Sequence, residues 1–111
     1  MARQRSSQRP PHPTPDGGAV LQLDATLEIG QVTETQRRLL GLIEGASAAT
    51  VDVSRISSID TAGVQLLVAL RLEAAERGTA LEFRGESSAL AGALRLLGLE
   101  AALSPPGTHA K

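Results

Sequence analysis

The sequence predicts an α/β domain built on a mixed β-sheet, and three observations predict it. Stripes of apolar residues at helical spacing separate short aliphatic and β-branched runs, so helices and strands alternate along the chain. Glycines stand where the helical stripes end, at Gly45, Gly78 and Gly98, and a left-handed glycine is the usual helix stop. Two strand-like runs follow one another before the first helix, over 19–29, which argues against a purely parallel sheet.

Residues 1–18 are rich in Arg, Gln, Ser and Pro. They carry too little apolar surface to offset chain entropy and are expected to be a disordered tail. The domain is expected over 19–103, with a second flexible tail over 104–111. From Ala19 to Ile29, Val20, Leu21 and Leu23 form one strand, and Ala25, Leu27 and Ile29 alternate with polar residues in another. Asp24 marks the turn between them. Gln31 to Glu44 reads as a helix with Val32, Gln36, Leu39, Leu40 and Ile43 inward. Thr33 and Gln36 have capping-box spacing. Thr50 to Val53 is a short strand. Ala62 to Arg77 is the longest helix and Ala80 to Arg84 the next strand. Ser87 or Ser88 caps a last helix that runs to Leu97, with Leu90, Ala93, Leu94 and Leu97 buried. Leu99 and Leu103 are expected to tuck back beneath it.

Composition removes several function classes. The chain has 111 residues, a net charge of −1, no Cys, and Phe83 as its one aromatic residue. Base-stacking nucleic-acid modules need aromatic rings, so nucleic acid is not an expected partner. Without Cys there is no disulfide, zinc–thiolate site or catalytic thiol, a composition that suits the cytoplasm. No apolar run is long enough to span a bilayer. Arg3, Arg5 and Arg9 precede no apolar stretch, so no secretory signal is expected. His12 and His109 lie in the tails and leave a Ser-His-Asp triad without a histidine. There is no phosphate-binding loop with its lysine, no metal cage, and Asp52 lacks the acidic cluster of a phosphoaspartate receiver. The expectation is a protein that is not an enzyme and uses no cofactor.

The chemistry therefore concentrates where a buried strand passes through a polar loop into a helix, at Asp60, Thr61, Ala62 and Gly63. Asp60 can cap the helix. Thr61 is either a first-turn residue or a hydroxyl offered for modification. Gly63 lets a neighbouring backbone or a partner come close. Ser54, Ser57 and Ser58 are turn residues and reserve phosphoacceptors. Along the helix, Gln65, Ala69, Glu73 and Glu76 form a narrow polar strip, so the apolar arc is wider than one sheet contact requires. Either helices flank it on both sides, with Arg71 snorkelling outward, or the side carrying Val64 and Val68 is a docking surface.

The ordered pieces Val51-Asp52-Val53-Ser54, Ile59-Asp60-Thr61-Ala62-Gly63-Val64, Arg77-Gly78 and Leu96-Leu97-Gly98-Leu99 resemble the STAS domain. That module is shared by sulphate transporters and anti-sigma factor antagonists. The resemblance implies a mixed sheet with helices packed mainly on one face and a partner surface around Asp60–Gly63. In antagonists the hydroxyl residue after the Asp is phosphorylated by a partner serine/threonine kinase. Thr61 holds that position, where most antagonists carry Ser. The implied partners are an anti-sigma factor or kinase and a phosphatase. A Thr here also resembles STAS subunits of lipid-transporting ABC machines, whose partner is the ATPase subunit, and STAS proteins of chemotaxis clusters.

Overall fold

A computed structural model of the chain describes residues 12–13 and 18–104. The remainder of the expected tails lies outside the described residues. In chain order the elements are β1 (His12–Pro13), β2 (Ala19–Gln22), β3 (Thr26–Leu27), α1 (Val32–Ile43), β4 (Ala48–Asp52), β5 (Ser58–Ile59), α2 (Thr61–Arg77), β6 (Ala80–Arg84) and α3 (Ser88–Leu97). A single 3₁₀ turn, Ile29–Gln31, leads into α1.

The main sheet has the order β1-β2-β4-β6, and β3 pairs with β5 in a separate two-stranded ladder. β2, β4 and β6 run parallel, whereas β1 is antiparallel to β2. The sheet is mixed, as expected, but for a different reason. The two early runs do not pair with each other. The Leu23 N–H still donates to Asp52 O, continuing β2 alongside β4, and the chain then leaves for the second ladder. There Ser57 N and Ser58 N both donate to Ala25 O.

The register assigns the faces. Leu21, Val51 and Phe83 stand in one row, and Ala19, Ala49 and Leu81 in another on the same face. Side chains alternate across a strand, so the other face carries Val20, Thr50 and Glu82, then Gln22, Asp52 and Arg84. The first face is the core face. Leu21, Val51 and Leu81 meet Leu39, Leu42 and Ile43 of α1, Leu67, Leu70 and Ala74 of α2, and Leu90 and Leu94 of α3 in one cluster. α1 packs on β2 and β4, and α2 packs on β6 between the two other helices. That central position explains the wide apolar arc of α2. No helix among the described residues is long and apolar enough to cross a membrane.

Local chemistry adjusts several expected details. The capping box is built five residues before the expected one, at the start of the 3₁₀ turn that leads into α1: Gln31 Oε1 accepts from Glu28 N at 3.0 Å. Thr35 and Leu42 are buried with Leu39 and Ile43, and Gln36 is exposed. Gly78 closes α2 with φ 74°, and Gly98 closes α3 with φ 72°. Ser87 caps α3 by accepting from Leu90 N at 3.0 Å. Leu97 is 40% exposed rather than buried. The chain turns back so sharply that Leu99 N bonds Leu94 O, and Leu99 and Leu103 fill the position instead. Arg71 does not snorkel. It is 5% exposed, donates to Leu81 O and Leu103 O, and lies 5.2 Å from the Phe83 ring centre.

Candidate functional site at the start of helix α2

Asp60 precedes α2 with extended backbone and serves as its N-cap. One carboxylate oxygen accepts from Gly63 N at 2.9 Å, and the other accepts from Ile29 N, also at 2.9 Å. The same residue donates its own N–H to Leu27 O. Asp60 thus ties the end of β3 and the 3₁₀ turn to the first turn of the helix. The Gly63 N–H, helped by those of Ile29 and Ala62, outweighs partial burial and holds the carboxyl below its ordinary value of 3.8.

That direction gives a stability expectation. A depressed carboxyl pKa stabilises the fold at pH values above the unfolded pKa, and the contribution disappears as pH falls through the folded pKa. Asp52 behaves alike: burial raises its pKa, but the Ser54 N–H and hydroxyl, the Arg84 charge and Gln22 together bring it below 3.8. Thermal stability is therefore expected to drop below about pH 4. Asp60→Asn is expected to flatten that acid limb, which paired melting curves at acid and neutral pH measure. An unchanged limb would remove Asp60 from the account.

Thr61 opens α2 and is exposed. Its hydroxyl has no hydrogen-bond partner among the described residues. The neighbouring loop hydroxyls are all engaged: Ser54 Oγ donates to Asp52 at 2.7 Å, Ser57 Oγ to Ala25 O at 3.3 Å, and Ser58 Oγ to the Glu28 carboxylate. Ser54 is thereby held within its own turn, and Ser57 and Ser58 are tied across to the segment that carries β3.

The other expected site residues divide. Ala62 is half-buried beside Thr61. Gly63 faces inward, and its close neighbour is the chain's own backbone: a Cβ there would overlap Leu27 O and stand 2.8 Å from Ile59 Cγ1. Val64 is a correction. It is 0% exposed and sealed in the core, because α3 covers that side of α2, so it offers no docking surface. Val68 is half-buried. Thr61, Gln65, Val68 and Leu72 follow at helical spacing down the side of α2 opposite the buried Gly63, Leu67, Leu70 and Ala74.

Ile29 is an exposed apolar residue beside the site, and sequence reasoning missed it. It is 72% exposed, and its backbone is pinned to the Asp60 carboxylate beside Thr61. Strand alternation had turned it inward. The available signal was Gly30-Gln31, which ends the strand before Ile29 can join it.

The profile of the family described as "Mlab, STAS domain" matches residues 13–105. The fold is similar to that of a sulfate transporter family protein from Wolinella succinogenes, with a TM-score of 0.64 and 26% identity over 81% of this chain and 74% of that one. It is also similar to the unphosphorylated form of the anti-sigma factor antagonist SpoIIAA, with a TM-score of 0.64 at 16% identity over 85% and 83% of the two chains. The NMR structure of TM1081 gives a TM-score of 0.69 at 14% identity over 95% and 82%. No curated protein matches the sequence.

Proposed function

The chain belongs to the STAS-domain family, and from that membership we propose that it is a non-enzymatic interaction module of the anti-sigma factor antagonist type, switched by phosphorylation of Thr61. The partner is an anti-sigma factor with serine/threonine kinase activity, met in the cytoplasm. The kinase brings ATP, and a phosphatase resets the switch. The observation that carries this reading is the free, exposed hydroxyl of Thr61 among engaged neighbours.

The physics suits a switch. A phosphate on Thr61 adds about −1.5 to −2 charges near neutral pH. The first turn of a helix tolerates an anion, so the fold survives. A docked partner meets new charge where it contacted Ile29, Val68 and Leu72, next to the Asp60 carboxylate. Attraction within the fold is thus paired with repulsion across the interface.

The test is affinity purification of the full chain with intact-mass analysis, followed by pull-down of the co-purified partner. Thr61→Val is expected to bind and to gain no phosphate. Phosphorylated protein, or Thr61→Glu, is expected to bind at least about tenfold more weakly while melting normally. Undiminished binding by both charged forms would end the reading.

A second reading has its own support. The matching profile is described as "Mlab, STAS domain", and Thr stands where antagonists mostly carry Ser. On that reading the chain is a constitutive subunit bound to an ABC-transporter ATPase, and Thr61 is a contact residue. The same purification separates the two: an ATPase partner with no phosphate on the chain selects the second.

A further inference from the structure

Among the described residues β6 is the last strand of its sheet, so one of its edges has no neighbouring strand there. Ala80 N donates to Ser47 O, and Arg84 O accepts from Val53 N. Ala80, Glu82 and Arg84 therefore direct their backbone groups toward the β4 side, and Leu81 and Phe83 direct theirs off the sheet. Unpaired backbone groups of this kind form a template for another strand.

The chain guards this edge with Arg71. Its Nη1 donates to Leu81 O at 2.8 Å, and its Nε and Nη2 reach Leu103 O at 3.1 and 2.7 Å. One guanidinium thus occupies one of the two outward carbonyls of β6, that of Leu81, and fastens the C-terminal turn, residues 99–104, beside it. The turn's other backbone hydrogen bonds are to itself and to the end of α3. No carboxylate pairs with Arg71 among the described residues, so its buried charge rests on these carbonyls and the Phe83 ring.

We propose that residues 99–104 form a releasable guard, and that its release lets β6 pair antiparallel with β6 of a second copy across a two-fold axis at Phe83. The second copy is chosen by charge. Pairing centred on Phe83 sets Glu82 of each copy opposite Arg84 of the other. Both side chains are exposed on the open face, and directly opposed unlike charges favour a pair. The same register makes Phe83 face Phe83 as a hydrogen-bonded pair, which uses its outward backbone groups. An isologous contact of this kind closes at two copies.

The test is sedimentation of the full chain with hydrogen exchange at Phe83 and Gly85. Wild type is expected to be monomeric. Arg71→Met keeps the apolar stem and removes the bonds, and is expected to raise self-association by about tenfold or more. It is also expected to protect both amides. Adding Glu82→Arg should abolish the dimer, and adding Arg84→Glu to that should restore it. If Arg71→Met fails to fold, Leu103→Asp loosens the turn with Arg71 intact, and the same readouts apply. A folded, monomeric release variant overturns the proposal. So does a dimer indifferent to Glu82→Arg, or a wild type already paired through this edge.

Discussion

Gly63→Ala is expected to lower stability by about 2–3 kcal/mol, even though alanine is the better helix former by about 1 kcal/mol. The new methyl would overlap the carbonyl oxygen of Leu27 and crowd Ile59 Cγ1 at 2.8 Å. The Leu27 oxygen belongs to β3, which pairs with β5 at the Leu27–Ile59 position, so no flexible side chain can yield. Either α2 lifts at its first turn or the small ladder shifts. Both movements strain the Asp60 bonds to Gly63 and Ile29. A thermal midpoint lowered by roughly 10–20 °C is expected for a domain of this size. Partner binding should weaken with it, because Ile29 and Thr61 lose their common anchor. A midpoint equal to wild type would show that the close approach is not required.

Gly85→Ala is the second large effect, expected at about 2–5 kcal/mol from left-handed backbone strain and overpacking together. Gly85 has φ 93°, and an added Cβ would stand 2.7 Å from Ser54 Cβ and 3.0 Å from Asp52 Oδ1. The methyl therefore strikes the turn in which Asp52 accepts from both Ser54 N and Ser54 Oγ. Denaturant unfolding would register the loss as a lower midpoint at unchanged slope. The proposed binding surface lies on another loop, so partner affinity measured well below the melting range is expected to stay near that of wild type.

How much of this was readable beforehand depended on the range of the interactions. α2, α3 and β6 follow from local signals: a cap, an apolar stripe and a closing glycine at Gly78 or Gly98. β6 was placed at its observed bounds, and α2 within a residue of its start. The junction at Asp60 and Thr61 was readable for the same reason, since capping acts over three or four residues. Most of the failures were long-range. β3 and β5 are two residues each, too short to show any alternation, and exist because Ala25 and Leu27 meet a loop some thirty residues later. β1 lies in a segment whose composition predicts a tail, yet it pairs with β2. Arg71 resembled a snorkelling residue because the carbonyls that bind it, at Leu81 and Leu103, are remote in sequence. Val64 and Ile29 exchanged roles: α3 covers the first, and the 3₁₀ turn carries the second outward.

Phe83, lying beneath the Arg71 guanidinium, is the sole phenyl ring in a chain without Trp or Tyr. The molecule is consequently dark to tryptophan fluorescence, and its near-ultraviolet absorption comes from one phenyl group. In any assembly it joins, an indole emission change reports the other component alone, so an unlabelled titration observes the partner's side of the event without interference.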